Sequence, residues 1–473
     1  MGIISQIRGW WNKLTRGEVE DVFGVEVVEP ELTNRMVSKY SDIIKGNPWW
    51  LDPSDDIVTI NFANYISQVT AGLVTLDIAV KMPQDSARGA YLQNIADYMV
   101  CNMNHTVTKA LGNVGIIIKP NGENVDYISP SDFYVTDADS NGNITGCVFR
   151  SKMLYVDKKF YTRYEWQRFE YVNGTKLYHI TNIAYKSDSK GDRGKPCSLR
   201  EIPQWANLPE DAYFDGIERP LFALYKNPAP NFQNPDSVLG MPVWGNCEQE
   251  LRALDIAFSR KADEIEDSKH MTFVPESAIQ FARNGKTRLP RFMKGLQIGG
   301  DLGAGEINEH VATLLTSQRI DDINSTLSMI STKCGFDQGF FELNERTGMM
   351  TATQVEANNQ STIRTIKNLR DPLQDCVLNV LYGASKLADI QTNIPAENWS
   401  NSFSEMKRVV KFAFGDITYN YEEDKTSWWK YRCQGDIPPW MYYVRFENMS
   451  EDEAKKMIEE AQTPEPTLFA EEE

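Results

Sequence analysis

Apolar residues in this 473-residue chain recur with two periods, and the change from one to the other divides the sequence. Over 243–270, Cys247, Leu251, Leu254, Phe258, Ala262 and Ile265 fall three or four residues apart, which predicts one apolar stripe on a helix. Over 309–334, Ile320, Ile323, Leu327, Ile330 and Cys334 step by 3, 4, 3 and 4, predicting a second helix. A third begins at Thr351 or Thr353 and carries Val355, Ile363, Ile366, Leu369, Leu373, Val377, Val380, Leu381 and Leu387 on one side. Pro372 lies inside it, removing a backbone donor and predicting a kink.

Ahead of these helices, 30–115 reads as mostly helical, with Leu51–Asp56 as a turn before a helix over Ile57–Val80. From about 115 the period becomes two. Val114–Ile118, Tyr127–Tyr134, Gly146–Arg150, Lys159–Tyr171 and Leu177–Tyr185 predict strands, with turns at Gly142-Asn143 and Asn173-Gly174. These make an antiparallel sheet of hairpins. Residues 186–218 read as a long polar loop, Pro220–Tyr225 as a short strand, and Asn227–Pro230 as a boundary. Toward the C-terminus, 391–408 is a connector, Val409–Tyr419 a strand and Trp428–Gln434 helical. Ser450 with Glu453 forms a capping box that opens the last helix, and the Pro- and Glu-rich stretch from Thr463 is expected to be disordered. The expected fold class is α+β.

Composition narrows the function classes. The chain is 41% hydrophobic and carries a net charge of −17, which argues against coating nucleic acid nonspecifically. Against that balance, 277–300 holds Arg283, Lys286, Arg288, Arg291 and Lys294 and no acidic residue. A helical pair with an oppositely charged insert predicts a shaft presenting a contact surface. The seven cysteines form no CxxC pair and are expected to be reduced thiols; the four histidines show no metal-ligand spacing. No secretory signal and no membrane span are expected. The amphipathic start, with Ile3, Ile4, Ile7, Trp10, Trp11 and Leu14, is expected to dock on protein.

Catalytic signatures are missing. Gly285-Lys286-Thr287 has only the end of a phosphate-binding loop, because Gln280 stands where its first glycine belongs. The glycine-rich Gly299–Gly305 does not follow a buried strand of a βαβ unit, and no GxSxG or HExxH occurs. No catalytic, cofactor-binding or metal-ligating residue is nominated, and the chain is not expected to be an enzyme.

Several stretches resemble the portal proteins of tailed bacteriophages of the long-tailed, siphovirus-like branch. They are the 57–80 segment followed by the sheet containing Tyr127–Tyr134, Gly240 leading into the first long helix, and Gly335-Phe336-Asp337-Gln338-Gly339-Phe340-Phe341. The most specific is Gly348-Met349-Met350-Thr351-Ala352-Thr353-Gln354-Val355; Lys411–Asp416 and Met449–Ala454 are similar only in pattern. The resemblance implies a portal-type subunit with an α/β wing, a two-helix stem, a small α/β clip, a long kinked tunnel helix and a helical crown. Carried over, 1–242 is wing, 243–270 and 309–334 are stem, and 271–308 is clip. Further on, 335–352 is the tunnel loop region, 353–390 the kinked helix, 391–420 connector and strand, 421–462 crown, and 463–473 an acidic tail.

The resemblance further implies a dodecameric ring at one capsid vertex of the virion, assembled in the host cytoplasm. Duplex DNA passes through it during packaging and ejection. Its partners are the large terminase subunit, then a head–tail adaptor, with the major capsid and scaffolding proteins around it; no membrane and no cofactor are involved. Asn344, Glu345, Arg346, Thr347, Gly348, Met349 and Met350 would then line the bore, and Arg283, Lys286, Arg288, Arg291 and Lys294 would face acidic partner surfaces. An acidic channel wall suits this role, because phosphate finds no deep binding minimum on it. The rival readings are a non-viral oligomeric helical scaffold and an aromatic-rich carbohydrate-active protein.

Overall fold

The computed structural model describes residues 19–28, 30–52, 57–235, 237–267, 271–274, 293–295, 308–310, 315–343, 360–391, 394–415, 421–447 and 449–462. Helices and strands are mixed along the chain, as an α+β fold requires. Two compact units are present, Met1–Phe414 and Gly415–Glu473. The amphipathic start before Val19 and the tail from Thr463 lie outside the described residues.

The first unit begins with a short helix, α1 (19–23), then α2 (Pro30–Ile44), α3 (Phe62–Val74), β1 (Ala79–Lys81) and α4 (Ala87–Leu111). The helix expected over Ile57–Val80 is therefore shorter. At its start, the backbone N–H groups of Val58 and Ile60 donate to Ser259 and Asp255, which holds them extended. At its end, β1 pairs with β15 (Lys411–Ala413). α4 is capped by Ser86, whose hydroxyl accepts from the Gly89 N–H at 3.1 Å. A Cβ on Gly89 would lie 1.6 Å from the Pro83 carbonyl oxygen, so only glycine fits.

Two sheets follow. β2 (Ile116–Pro120), buried along its length, is the middle strand of a three-stranded sheet with β3 (Val125–Ile128) and β11 (Ala223–Tyr225). The larger sheet runs β10 (Asp211–Phe214), β8 (Thr175–Ser187), β7 (Lys159–Val172), β5 (Ile144–Arg150), β4 (Phe133–Ala138). Off this path, β6 (Leu154–Val156) pairs with β7 and β9 (Lys195–Cys197) with β8. The single strand expected over Tyr127–Tyr134 is two strands belonging to different sheets, separated by a turn in which Asp132 N–H donates to the Ser129 carbonyl. The β7–β8 hairpin matches its pattern. Phe160 pairs with Ser187 and Val172 with Thr175, and Asn173 and Gly174 both have positive φ (52° and 83°), as a two-residue turn of matching twist needs.

Side chains on the larger sheet alternate between two cores. On one face Tyr134, Val148, Tyr164 and Tyr185 pack under Val19 and Val27; on the other Tyr161 and Ala184 pack under Leu199, Ile202 and Trp205. Residues 186–218 are thus no solvated loop. They add two strands to the sheet and roof its second face, with Trp205 only 6% exposed.

Between the sheets and the helices runs α7 (Gln360–Gln391). Ile366, Leu369, Leu373, Val377, Val380, Leu381 and Tyr382 are all buried, so the helix is apolar beyond one stripe. The Asn379 amide donates to the carbonyls of Pro220 and Phe222 at 3.1 and 2.8 Å, tying it to the strand β11 and its approach. α8 (Phe403–Val409), capped by Ser402, takes the first residue of the expected 409–419 strand, and β15 lies within that span, whose residues 416–419 are outside the described residues.

The second unit contains α9 (Tyr421–Gln434), α10 (Pro439–Phe446) and α11 (Glu451–Gln462). Trp429 packs edge-on against Tyr442 at 5.3 Å, and Trp428 against Phe446 at 6.0 Å. The capping box is present: Ser450 N–H donates to Glu453 Oε2 at 3.0 Å, and Glu453 N–H to Ser450 Oγ at 3.3 Å.

Candidate functional site: the helical hairpin and the loop at its root

α5 (Glu248–Asp267) and α6 (Thr316–Lys333) form an antiparallel pair. At the root, the Cys247 and Cys334 sulfurs are 3.7 Å apart and Lys333 meets Glu250 at 2.6 Å. At the other end, Arg319 meets Glu264 at 3.0 Å, and Glu264 also accepts from the Leu315 N–H. Both predicted stripes exist, but burial is graded. Leu251 and Leu254 on α5, and Ile323, Leu327 and Ile330 on α6, are buried, whereas Ile265 is 51% exposed. The helices are also shorter than their patterns. Ahead of α5, Trp244 is buried and donates to Ser67 Oγ at 3.0 Å, placing 243–246 in the body. Ahead of α6, Asn308–His310 is a strand.

A segment the periodicity does not reveal runs beside α5. Trp49 donates to Glu248 at 3.3 Å, Trp50 to Asp255 at 2.9 Å, and the N–H groups of Ile60 and Val58 to Asp255 and Ser259 at 3.0 Å each. Burial raises the Asp255 pKa above the usual carboxylate range, and the bonds from Trp50 and Ile60 oppose that shift. The paired tryptophans at 49–50 were the one visible signal.

Between the helices, β12 (Met271–Val274) is the middle of three strands, parallel to β13 (Met293–Gly295) and antiparallel to β14 (Asn308–His310). Lys294 falls in β13, opposite Phe273. Arg283, Lys286, Arg288 and Arg291 lie outside the described residues.

After α6 the chain turns at Gly335 (φ 82°), where a Cβ would come within 2.6 Å of the Thr365 hydroxyl. Phe336 then stacks on Phe340, and Phe341 meets both of them edge-on and Phe62 edge-on at 5.4 Å. Asp337 sits at the N-terminus of α7, accepting from the N–H groups of Ser361 and Thr362 at 3.3 and 3.1 Å and from the Thr362 hydroxyl at 2.7 Å. A carboxylate there satisfies orphan amides and meets the positive end of the helix dipole. Leu343 N–H donates to Asn324 on α6. The expected bore residues Asn344, Glu345, Arg346, Thr347, Gly348, Met349 and Met350 lie outside the described residues, between these two anchored ends.

α7 continues through Pro372, and its surroundings are tied down. Tyr225 donates to the Leu369 carbonyl at 3.2 Å, next to the Asn368 carbonyl whose helical donor Pro372 cannot supply. Arg370 donates to the carbonyls of Leu73 and Val74, capping the C-terminus of α3.

Among the described residues no group of three His, Cys, Asp or Glu could hold a metal ion, and no helix is long and apolar enough to cross a membrane. Compared with family models and with curated proteins, the chain finds no match.

Proposed function

We propose that this chain is the subunit of a portal-type ring, the conduit through which duplex DNA enters and leaves a phage capsid. The observation that carries the reading is the order of parts along one chain. A sheet-bearing body leads to a helix, a three-strand insert and an antiparallel partner helix. A loop locked to that partner then precedes a long helix containing a proline. This order matches wing, stem, clip, tunnel loop and kinked helix in the family the sequence resembles; the helices after 420 take the place of the crown.

The chemistry is that of a passage. A net charge of −17 per chain, repeated around a ring, repels phosphate and leaves DNA free to slide. Asp337 and Asn324 fix the two ends of the loop assigned to the bore, so force from moving DNA meets anchored supports. The motive power belongs to the terminase, which the basic clip residues receive before the head–tail adaptor. The chain itself acts as an assembly platform at the capsid vertex and performs no catalysis.

Native mass spectrometry of the purified protein tests this. The expected result is one closed oligomer of about a dozen chains, the size a duplex-wide hole demands in this family. A ladder of sizes without a preferred closure would instead favour the helical-scaffold reading.

A further inference from the structure

Cys247 stands immediately ahead of α5 and Cys334 immediately past α6, so the two thiols meet at the root of the hairpin. Their sulfurs touch at 3.7 Å across a sequence separation of 87. Cys247 is 0% exposed and Cys334 8%. The backbone is pinned on both sides of this contact. Lys333 meets Glu250 at 2.6 Å and donates to the Asn246 carbonyl at 3.4 Å, and the Cys334 N–H closes the last turn of α6 on the Ile330 carbonyl. Two buried cysteines can simply pack as small apolar side chains. Here they also face each other as hydrogen-bond partners on chain ends that are tied together, which is what a crosslink requires.

We propose that Cys247 and Cys334 form a modification site, which hydrogen peroxide oxidises to a disulfide that fastens the hairpin at its root. The Cys334 thiol, the more exposed of the two, loses its proton to water, and the thiolate attacks one peroxide oxygen. The O–O bond breaks, hydroxide leaves and takes up a proton as water, and Cys334 becomes a sulfenic acid. The Cys247 sulfur then attacks the Cys334 sulfur. The S–S bond forms, the S–O bond breaks, and the Cys247 proton leaves with the hydroxide as a second water. Two thiols are oxidised and one peroxide is reduced. The neighbouring Cys247 thiol and burial hold the Cys334 pKa well above the usual thiol range, so the first step is slow at neutral pH and quickens as pH rises. The link closes α5, the three-strand insert and α6 into one covalent loop. On the reading proposed above, the hairpin is unlinked while the ring is built in a reducing cytoplasm and is fastened after release. The crosslink itself does not depend on that reading.

Peroxide treatment of the full-length chain carrying Cys101→Ser and Cys433→Ser, which removes the two exposed thiols, tests this. Non-reducing peptide mass spectrometry is expected to find the Cys247 and Cys334 peptides joined, two hydrogens lighter than their sum, and formed faster at pH 9 than at pH 7. The urea midpoint is expected to rise on oxidation and to fall back with dithiothreitol, and neither shift is expected once Cys334→Ala is added. With Cys247→Ala added instead, no thiol remains to resolve the sulfenic acid, and dimedone is expected to label Cys334. Peptides that join only when the chain is first unfolded in urea, or Cys334 carried to sulfinic acid without joining, would overturn the proposal. Either result leaves the ring reading untouched, because ring closure is read separately by native mass.

Discussion

Replacing Arg88 with methionine is expected to cost about 3–5 kcal/mol of folding stability, the range seen when one partner of a buried charged network is removed. Arg88 is 1% exposed, and its five donors are all used. Nε donates to the Pro395 carbonyl at 3.2 Å, Nη1 to the Ser385 carbonyl and hydroxyl, and Nη2 to Asp389 at 2.7 Å and the Ile394 carbonyl at 2.6 Å. One side chain on α4 thereby holds the end of α7 and the segment that leaves it. Methionine fills similar space but takes the Arg88 donors away from the Pro395 and Ile394 carbonyls and from Asp389, leaving polar groups short of partners. Lysine keeps the charge yet cannot fork to so many acceptors, so Arg88→Lys is expected to be destabilising too. Urea unfolding followed by tryptophan fluorescence would measure both; a loss under about 1 kcal/mol for the methionine variant would contradict the assigned role.

Lys119→Met is expected to be comparably severe and to change the response to acid. Lys119 Nζ lies 2.7 Å from both oxygens of Glu165, which also meets Arg163 at 3.1 Å and takes a bond from Gln167. Tyr178 extends the network, donating to Gln167 at 2.7 Å and accepting from Leu221 N–H at 3.1 Å. Burial alone would raise the Glu165 pKa, but the Lys119 and Arg163 charges outweigh it and bring it to about 2. A carboxylate depressed in the folded state contributes stability that is full above its unfolded pKa. That contribution, about 3 kcal/mol here, fades as pH falls from 4.5 toward 2. In Lys119→Met, burial is opposed only by the Arg163 charge and the Gln167 hydrogen bond, so Glu165 takes up its proton at higher pH. The expected cost at neutral pH is about 3–5 kcal/mol, with much of it recovered when Glu165→Gln removes the stranded charge. Denaturant midpoints at pH 7, 5, 4 and 3 decide it. Parallel pH profiles for wild type and Lys119→Met would contradict the assignment.

Both residues show where local pattern stops being informative. Arg88 and Lys119 look like solvated charges in the sequence, yet the partners of Arg88 lie about 300 residues away and those of Lys119 in another sheet. Features written over short spans were legible. Alternation plus Asn173-Gly174 specified the longest hairpin, Ser450 with Glu453 specified a helix start, and the stripes on α5 and α6 specified their seam. Boundaries shifted wherever a distant partner competed. Ile60 lies within the helix expected over Ile57–Val80, but its amide donates to Asp255 and the residue stays ahead of α3. Leu199, Ile202 and Trp205 are scattered among polar residues, and only a sheet face that needs covering gives them a use. The hairpin, Pro372 and Lys294 were placed within identified elements, whereas the remaining basic residues and the bore loop rest on resemblance.

Electron microscopy of the purified full-length protein, with end-on views classified without imposed symmetry, tests the central claim most directly. Closed rings of a dozen subunits around a hole wide enough for duplex DNA are expected, with the hairpins gathered about the axis. Compact single particles, or assemblies without a central opening, would contradict it.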